Sequence, residues 1–424
     1  MYKPRLIDDI LKRKLLGVGA VLIEGLKWCG KTSTAEHHAN SVIYMDNPAN
    51  RINNIKLAET DPDLILVGPT PRLIDEWQIA PSLWDAVRFS VDHREGEGQF
   101  ILTGSAVPQV SREEKEKMHT GTGRISRLKM RTMSLWESGE STGSVSLKGL
   151  ADGFKQYGTT KSNLSRIAYL CCRGGWPKAT LQNKAIALDR ADDYYQAIVN
   201  FDIARASKMA INPDRIKKLL QSYARFQGCQ TSVNAITEDM KSGEADTLDP
   251  RTVQAYIDTL KQIYVIEDMP AWNPNLRSKS AIRTTDTRYF SDPSIAAASL
   301  GIGPDDLIKD LNTFGFIFET LCVRDLRVYA ESLGAETYHF RDSNGLECDV
   351  VIHFRNGKYG LIEIKLGGDT LIEEGVKNLL KLKNTIDTDK MGEPTFMMVL
   401  TATGEFAFQR PDGVHVVPIT TLKN

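Results

Sequence analysis

The stretch IEGLKWCGKTST, residues 23–34, constrains the fold of this chain more than any other segment. It follows the apolar run VGAVLI, residues 18–23, and precedes a segment of helical period. Four of its residues fit the pattern G-x-x-x-x-G-K-[S/T], which arises by chance in roughly one or two of a hundred chains of this length. They are Gly25, Gly30, Lys31 and Thr32. We therefore predict a strand, a phosphate-binding loop and a helix, in that order.

The chemistry of such a loop follows from its backbone. Glycines let the chain wrap closely enough for successive N–H groups to face phosphate oxygens, and the N-terminal end of the following helix favours the same anion. We expect Lys31 to hold the β and γ phosphates of ATP and Thr32 to ligate Mg²⁺. The predicted ATP-binding residues are Gly25, Leu26, Lys27, Trp28, Cys29, Gly30, Lys31, Thr32 and Ser33. Trp28 and Cys29 are expected to pack facing away from the phosphates.

A phosphate loop needs a carboxylate at the end of a neighbouring strand. The segment RLIDEWQ supplies Asp75 and Glu76 after a predicted strand that ends at Leu73 and Ile74. We expect Asp75 to support Mg²⁺ and Glu76 to polarise the attacking water, so that ATP is hydrolysed rather than only bound. The alternative is an exposed acidic pair at a strand end.

The segment QFILTGSA predicts an apolar strand that ends in Thr103 and Ser105. Their hydroxyls are candidates to hydrogen-bond the γ-phosphate or the lytic water, from a strand between the other two.

The segment HTGTGRISRLKMR places Arg124 after two glycines in a predicted exposed loop. An arginine supplied across a subunit boundary would neutralise the charge that develops in phosphoryl transfer, an effect worth up to about 10³ to 10⁵ in rate. In the alternative interpretation, Arg124, Arg127 and Arg131 are solvated or contact nucleic acid.

Short apolar runs alternate with segments of helical period over the first 140 residues, which predicts βα units and a parallel sheet. The runs are GAVLI, SVIYM, LILV, RLID and QFILTGS. The small polar stretch SGESTGSVS at 138–146 predicts a linker. The predicted fold class is therefore an α/β multidomain protein. Its predicted parts are a P-loop ATPase domain with a parallel sheet at 1–140, a linker and helical segment at 141–210, a winged-helix-like domain at 211–300, and a nuclease-like α/β domain at 301–424.

The middle of the chain predicts three short helices in RIKKLLQSYARF, TSVNAITEDM and DPRTVQAYIDTLKQ, followed by a strand at YVIED. Asp249 is a good N-cap for the third helix, and Pro250 suits its first position. This helix is predicted to bury Val253, Tyr256 or Ile257, Leu260 and Ile263. A winged helix has this order of elements. The exposed face would carry little positive charge, so we interpret the module as a scaffold or interaction module first and a DNA reader second.

The C-terminal segment predicts a helix, two hairpin-like connections at DSNG and RNGK, and a constellation of charged residues. Asp349 lies in LECDVVI, and Glu363 and Lys365 share one face of LIEIKL. Glu319, on the preceding helix, is a fourth candidate. Two carboxylates suit Mg²⁺, and an adjacent lysine can stabilise an attacking hydroxide or the pentavalent phosphorus.

This set resembles the PD-(D/E)XK nuclease core. Asp349 and Glu363 would then be metal ligands, and Glu319 and Lys365 further catalytic residues. Two alternatives remain open: a half-exposed sheet face with a Glu363–Lys365 pair and no metal, and a nuclease-like fold kept as a binding platform.

Several motifs have to be taken together: IEGLKWCGKTST, LIDEWQ with Pro81 after it, FILTGS, TGTGRI, MSLWESGESTG, RGGWP at 173–177, LECDVVI and IEIK. Together they resemble the large family of prokaryotic AAA+-type ATPases whose C-terminal half is a domain of unknown function. The resemblance covers nearly the whole chain and implies ATP binding, although most members lack an assigned role. The chain departs from the family pattern at Thr132, where a proline is usual, at the exit from the arginine loop.

Composition narrows the remaining classes. A net charge of −1 excludes a simple polyanion binder but not a local basic patch. No apolar run approaches the roughly 18 residues that span a bilayer, and the start MYKPRLIDDILKRK lacks a hydrophobic signal region, so we expect a cytoplasmic protein with no membrane partner. The six cysteines lack CxxC pairing and zinc spacing, which favours reduced, buried thiols. The sequence also lacks the peptidase patterns GxSxG and HExxH.

The sequence thus predicts a Mg²⁺-dependent ATPase in a homo-oligomeric, hexamer-like ring, because an arginine given in trans requires a neighbour. ATP hydrolysis would drive or switch a C-terminal domain that binds a protein client or DNA. The alternative is an ATP-gated, metal-dependent DNA nuclease that defends against foreign DNA. A third hypothesis is a regulator in which ATP binding sets assembly and hydrolysis is slow.

Overall fold

A computed structural model of the chain describes residues 2–105, 120–207, 212–241 and 248–424. The chain divides into two compact units. The first comprises Met1–Thr132, Asp202–Ala210 and Gln262–Tyr264, and the second comprises Met133–Phe201, Ile211–Lys261 and Val265–Asn424. This division differs from the four consecutive domains predicted above, because two short segments from the middle of the chain return to the first unit.

The first unit contains a five-stranded sheet. Its strands are β1 (Ala20–Gly25), β2 (Ser41–Tyr44), β3 (Arg72–Asp75), β4 (Phe100–Gly104) and β5 (Ile125–Met130). They lie in the order β2-β3-β4-β1-β5, and every neighbouring pair is parallel. The predicted parallel sheet is therefore confirmed. Strand β4 is buried along its whole length, as expected for a parallel strand between two covered faces.

The helices of the first unit are Ile7–Leu15, Lys31–His38, Arg51–Thr60, Asp63–Leu66, Leu83–His93 and Ile203–Ala206, with a 3₁₀ turn at Trp77–Ile79. The core contains the buried rings of Trp77 and Trp84, whose centroids lie 5.0 Å apart. The apolar run LILV is not a strand: it contributes to the helix Asp63–Leu66, which buries Ile65 and Leu66. Four apolar residues suit one helical turn as well as a strand, so the run alone could not decide.

The second unit contains a larger, mixed sheet. Its strands are β7 (Gly158–Thr159), β8 (Ala335–Arg341), β9 (Glu347–Phe354), β10 (Tyr359–Lys365), β11 (Phe396–Thr401), β12 (Phe406–Gln409) and β13 (His415–Pro418). Their order is β7-β12-β13-β11-β10-β9-β8. Strands β8, β9 and β10 pair antiparallel across the turns DSNG and RNGK, so both predicted hairpins are confirmed. A separate pair joins β6 (Val145–Ser146) to β14 (Leu422–Lys423).

The helices of the second unit are Leu135–Ser138, Leu147–Ala151, Leu164–Arg173, Lys184–Ala197, Pro213–Arg225, Val233–Met240, Pro250–Gln262 (whose last residue belongs to the first unit), Pro293–Leu300, Pro304–Lys309, Leu311–Ser332, Asp369–Thr385 and Thr388–Met391. Of the helices within the described ranges, none is long and apolar enough to cross a membrane.

The three helices predicted for the middle of the chain are confirmed as Pro213–Arg225, Val233–Met240 and Pro250–Gln262. Asp249 accepts a hydrogen bond from the backbone N–H of Arg251 at 2.8 Å, as an N-terminal cap does. The predicted apolar positions Val253, Tyr256, Ile257, Leu260 and Ile263 are all buried. The strand predicted at YVIED is not formed: residues 266 and 269 make only isolated bridges to 290 and 287. The winged-helix assignment stays a prediction.

The segment 138–146, predicted as a linker, is packed within the second unit. Ser141 is buried and donates to the carbonyl of Leu422 at 2.6 Å, and Val145 pairs with the same residue in strand β14. Its small polar residues meet backbone groups of the C-terminal strand, which explains their type without a flexible connection.

A buried ionic network holds the helices of the second unit. Arg324 Nη2 lies 2.7 Å from Asp325 Oδ1, and its Nη1 lies 3.2 Å from Asp292 Oδ2. Asp325 also accepts a hydrogen bond from the backbone N–H of Leu135, and Asp292 accepts one from that of Gly175. Removing one partner of such a buried pair typically costs about 3 to 5 kcal/mol, because the other charge is left unpaired.

Candidate functional site

The phosphate-loop sequence lies between strand β1 and helix Lys31–His38, as predicted. Gly25 has φ 153° and Gly30 has φ 106°, conformations that side-chain-bearing residues rarely adopt. A Cβ at Gly25 would lie 2.1 Å from the carbonyl oxygen of Met130, so only glycine fits where the chain leaves the strand. The backbone conformation at both positions thus favours glycine over any residue with a side chain.

Lys31 lies folded back over the loop. Its side chain is buried, with 5% of the residue exposed, and its Nζ donates to the carbonyl oxygens of Gly25 at 2.9 Å and Leu26 at 2.6 Å. Both acceptors are backbone atoms of the loop itself. The ammonium is therefore held at the loop by contacts that an anionic ligand can replace.

Asp75 is the centre of a small hydroxyl network at the carboxyl ends of three parallel strands. Its Oδ1 accepts from Thr32 Oγ1 at 2.9 Å and from Thr103 Oγ1 at 2.5 Å. Burial raises the pKa of Asp75, and these two hydrogen bonds oppose the rise. Sequence reasoning assigned Thr103 to phosphate or water, whereas in the structure its hydroxyl contacts Asp75.

Glu76 follows in a left-handed conformation, with φ 56°, which turns its side chain out of the strand direction. Its Oε2 accepts from Ser105 Oγ at 3.2 Å and from the amide of Gln78. Burial raises the pKa of Glu76, and Lys31 lowers it by its positive charge. Gln78 was not singled out from the sequence, since only the turn after the strand brings it to Glu76.

The remaining residues of the loop have different environments. Leu26 and Cys29 are buried, and the Cys29 thiol donates to the carbonyl of Met130 at 3.5 Å. Ser33 is exposed on the following helix. Trp28 is 52% exposed and is therefore not packed into the protein as expected, whereas Cys29 is buried.

The oxygen donors fit a magnesium ion. The hydroxyl of Thr32 and the carboxylate of Asp75 already lie within hydrogen-bond distance, and Mg²⁺ is bound in such sites by one or two protein oxygens, water and phosphate. A preformed protein cage is neither needed nor present: across the described ranges, no group of three or more His, Cys, Asp or Glu side chains could hold a metal ion.

Arg124 lies away from its own phosphate loop. It precedes strand β5, and its carbonyl accepts the backbone N–H of Ala20, at the start of β1, whereas the loop follows the end of β1. Its Nε lies 2.8 Å from Asp92 Oδ1. Arg127 pairs with Glu24 at 2.9 Å. The fold therefore keeps Arg124 at the far end of the strands from the loop of the same chain, whereas Arg127 pairs with the residue immediately before Gly25.

Arg5 is a loop contact that sequence reasoning missed. Its guanidinium donates to the carbonyl of Cys29 at 3.0 Å and to the carbonyl of Arg131 at 2.9 Å. It thus ties the phosphate loop to the end of strand β5 from a segment before the first helix. No local pattern marks such a residue, because its partners are 24 and 126 positions away.

The second unit brings together the four charged residues predicted for the C-terminal constellation. Lys365 Nζ lies 2.8 Å from Glu363 Oε2 and 3.8 Å from Asp349 Oδ2, and Asp349 also accepts the backbone N–H of Ile364 at 2.6 Å. Glu319 accepts a hydrogen bond from the hydroxyl of Tyr289. We call Glu319, Asp349, Glu363 and Lys365 the acidic cluster.

The carboxylates of the acidic cluster are costly to ionise together. Burial and repulsion from Asp349 raise the pKa of Glu319 to about 8, and burial also raises the pKa of Asp349 and Glu363. Glu363 is 1% exposed, and in the described part of the chain its Oε1 has no hydrogen-bond partner. Lys365 contacts its Oε2 as an ion pair, outside hydrogen-bond geometry.

A narrow cavity of about 30 Å³ reaches the acidic cluster, and Glu319, Asp349, Tyr289 and His339 are among its lining residues. A Cβ at Gly228, which has φ 67°, would lie 2.9 Å from both carboxylate oxygens of Glu319. The backbone at Gly228 thus closes directly over that side chain. The volume is enough for one or two waters or a single ion.

Family models match three segments of the chain. Residues 18–138 match the family model of an AAA domain. Residues 164–306 and 314–422 match two models described as domains of unknown function, DUF8612 and DUF4143. Uncharacterized proteins of Mycobacterium bovis and Mycobacterium tuberculosis are each 22% identical over 411 residues, which cover 96% of this chain and 82% of theirs.

Among solved structures, a Walker-type ATPase of Pyrococcus abyssi aligns with a TM-score of 0.42 and 10% identity, over 69% of this chain and 94% of that one. The family match and the loop geometry indicate the same class for residues 18–138: an AAA-like, ATP-binding domain. The matches beyond residue 164 name no activity.

Proposed function

We propose that the protein is an ATPase that binds Mg²⁺-ATP on the loop 25–32 and hydrolyses it with Glu76. The observation that carries this proposal is the convergence on Asp75 of hydroxyls from Thr32 and Thr103, beside a buried Lys31. These groups belong to the helix after β1 and to the ends of β3 and β4, which is where open parallel sheets bind their ligands.

In the proposed complex the loop N–H groups and Lys31 bind the triphosphate. Lys31 exchanges its two backbone carbonyl acceptors for β and γ phosphate oxygens, which are stronger acceptors because they are charged. Thr32 and Asp75 would hold Mg²⁺, which neutralises phosphate charge when bound.

Glu76 would act on water. Its carboxylate orients the attacking water and takes up its proton as the oxygen bonds to the γ-phosphorus, while the bond from phosphorus to the β-γ bridging oxygen breaks and ADP leaves. Ser105 and Gln78 fix the carboxylate in place, since both donate to Oε2. Positioning of this kind is the main contribution that a protein makes to phosphoryl transfer.

The larger assembly stays a proposal that rests on Arg124. Because Arg124 lies at the opposite end of the strands from its own loop, it would complete a site only on a neighbouring copy, in a ring. It would first have to leave Asp92. The second unit would then bind the protein client or DNA on which ATP hydrolysis acts. We also propose that the protein is cytoplasmic.

Hydrolysis assays test the ATPase proposal. We expect the purified chain to release phosphate from ATP with Mg²⁺, Lys31→Ala and Glu76→Gln to abolish release, and the exposed control Lys148→Ala to leave it intact. Phosphate release that persists in both loop variants would refute the assigned site. Binding of ATP with assembly but without turnover in the parent would favour the regulator hypothesis instead.

A second candidate function is an ATP-gated, metal-dependent DNA nuclease, for which the acidic cluster would be the metal site. Buried carboxylates without a full set of partners, Glu363 above all, are groups that a divalent cation would satisfy. Lys365 now neutralises them instead. We rank this function second, since Lys365 already pairs with both carboxylates and the family match over this part of the chain names no activity.

Cleavage of DNA with Mg²⁺ or Mn²⁺, in the presence and absence of ATP, tests the nuclease. Cutting by the parent chain that is lost in Asp349→Ala and Lys365→Ala would establish it. A parent that cuts nothing with either metal would remove its main support.

A further inference from the structure

A second lysine of the phosphate loop has an unexpected partner. Lys27 Nζ lies 2.5 Å from Asp202 Oδ1, 175 positions further along the chain. The side chain of Asp202 is 8% exposed and that of Lys27 is 38% exposed. Asp202 therefore has little access to water, and its ion pair with the loop replaces most of its hydration.

Asp202 lies at a distinctive point of the chain. The segment Ile198–Asp202 is a π-helical turn between the helices Lys184–Ala197 and Ile203–Ala206. The chain passes from the second unit to the first between Phe201 and Asp202. π-Helical turns hold one residue more than a regular helical turn. They are rare, and those that occur often lie at functional sites.

The other returning segment, Gln262–Tyr264, also contacts a residue next to the loop. Burial raises the pKa of the Tyr264 hydroxyl, and so does Glu24, which is its hydrogen-bond partner and immediately precedes Gly25. Both segments that return to the first unit thus contact a charged side chain within two residues of Gly25. Within the first unit, both returning segments therefore lie against residues at the start of the phosphate loop.

A bound triphosphate competes with Asp202 for the same ammonium group. The phosphates carry several negative charges, and Lys27 belongs to the loop that would surround them, so the phosphates would attract its ammonium group. Lys27 forms its ion pair with Asp202. If the Lys27 side chain moves toward phosphate, Asp202 loses that partner. The affinity of the loop for ATP and the order of the turn Ile198–Asp202 are then linked in both directions.

We propose that Lys27 is a second phosphate-binding side chain of the loop and that Asp202 regulates the site by competing for it. ATP binding transfers Lys27 from Asp202 to phosphate and loosens the turn Ile198–Asp202, through which the chain passes from the second unit to the first. This inference rests on the proposed ATP-binding function of the loop.

Affinity measurements with a non-hydrolysable ATP analogue test the competition. We expect Asp202→Asn, which keeps the shape of the side chain, to bind the analogue about 5- to 10-fold more tightly, because Lys27 is released. Lys27→Met should bind it more weakly, and the double variant should match Lys27→Met. The control is Asp152→Asn, whose pair with Lys148 has the same residue types and the same 2.5 Å separation, and which should leave the affinity unchanged.

Amide hydrogen exchange of the parent chain tests the release of the turn without any substitution. We expect exchange in residues 198–205 to rise when the analogue binds, and to stay constant in Lys27→Met. Equal affinities of the parent and Asp202→Asn, with unchanged exchange in the parent, would overturn the inference. If binding is absent from the parent or insensitive to Lys31→Ala, the proposed function of the loop fails instead.

Discussion

The nucleotide site of the first unit and the acidic cluster of the second each place a lysine near carboxylates, but they neutralise charge differently. In the first unit Lys31 donates to backbone carbonyls, and Asp75 accepts from hydroxyls. In the second unit Lys365 contacts Glu363 and Asp349 directly. A site whose charged groups are held by neutral partners can exchange them for a ligand, whereas a cluster that is neutralised internally has to give up an ion pair first.

The largest expected effect is a difference in ATP hydrolysis rate between variants of Glu76 and Glu363. Glu76→Gln should lower the rate of ATP hydrolysis by about 10² to 10⁴-fold while ATP still binds, because a general base contributes about that much. Glu363→Gln should leave the rate unchanged. Phosphate release measured for both variants checks this prediction, and equal losses would mean that the two clusters act in one reaction.

The two lysines should differ next in affinity for ATP. Lys31→Ala removes a charged donor from the loop, and we expect binding to weaken by about 10²-fold, the value of one or two charge-assisted hydrogen bonds. Lys365→Ala should bind ATP as the parent does. Calorimetric titration measures both, and a Lys31→Ala variant with parental affinity would place the nucleotide elsewhere.

The pH dependence of stability should come from the acidic cluster. The pKa of Glu319 is raised to about 8 in the folded chain, so the stability linked to its proton is present below about pH 4 and is lost as pH rises through 8. The free energy of unfolding of Glu319→Gln, taken relative to that of the parent, should therefore increase by roughly 1 to 3 kcal/mol between pH 5 and pH 8.

Thermal unfolding of the parent and the variant across that pH range gives the comparison. Glu374→Gln, on an exposed position of helix Asp369–Thr385, is the control and should show no such gain. A constant difference between parent and Glu319→Gln at all pH values would show that Glu319 is ionised alike in the folded and unfolded states.

The smallest expected effect concerns hydroxyl partners. Thr103→Val removes the donor to Asp75 and should slow hydrolysis about tenfold, because one hydrogen bond to a carboxylate is worth about 1.5 kcal/mol. Thr401→Val is the matched control: Thr401 is equally buried in the second unit, and its hydroxyl has no hydrogen-bond partner within the described residues. Identical rates for Thr103→Val and the parent would remove Thr103 from the site.

Local signals in the sequence were sufficient for much of the fold and for both clusters. The strand, loop and helix around Gly25 are contiguous, and Asp75 and Thr103 follow apolar runs, so parallel pairing alone brings them to one edge. The hairpin at RNGK does the same for Asp349 and Glu363. The strand predicted from the run LILV was wrong, because four apolar residues are too few to show a period.

Contacts between distant segments could not be predicted. The pairs of Lys27 with Asp202 and of Tyr289 with Glu319 depend on how helices pack, and no spacing encodes them. The return of residues 202–210 and 262–264 to the first unit could not be predicted for the same reason. The partner of Arg124 within its own chain, Asp92, likewise lies 32 positions away.

A crystal structure of the chain with Mg²⁺ and a non-hydrolysable ATP analogue tests the central claim most directly. We predict the γ-phosphate within hydrogen-bond distance of Lys31 Nζ, which will have left the carbonyls of Gly25 and Leu26, with the metal ion between Thr32 and Asp75. An analogue bound elsewhere, with Lys31 still donating to those two carbonyls, would contradict the assignment of the loop as the ATP site.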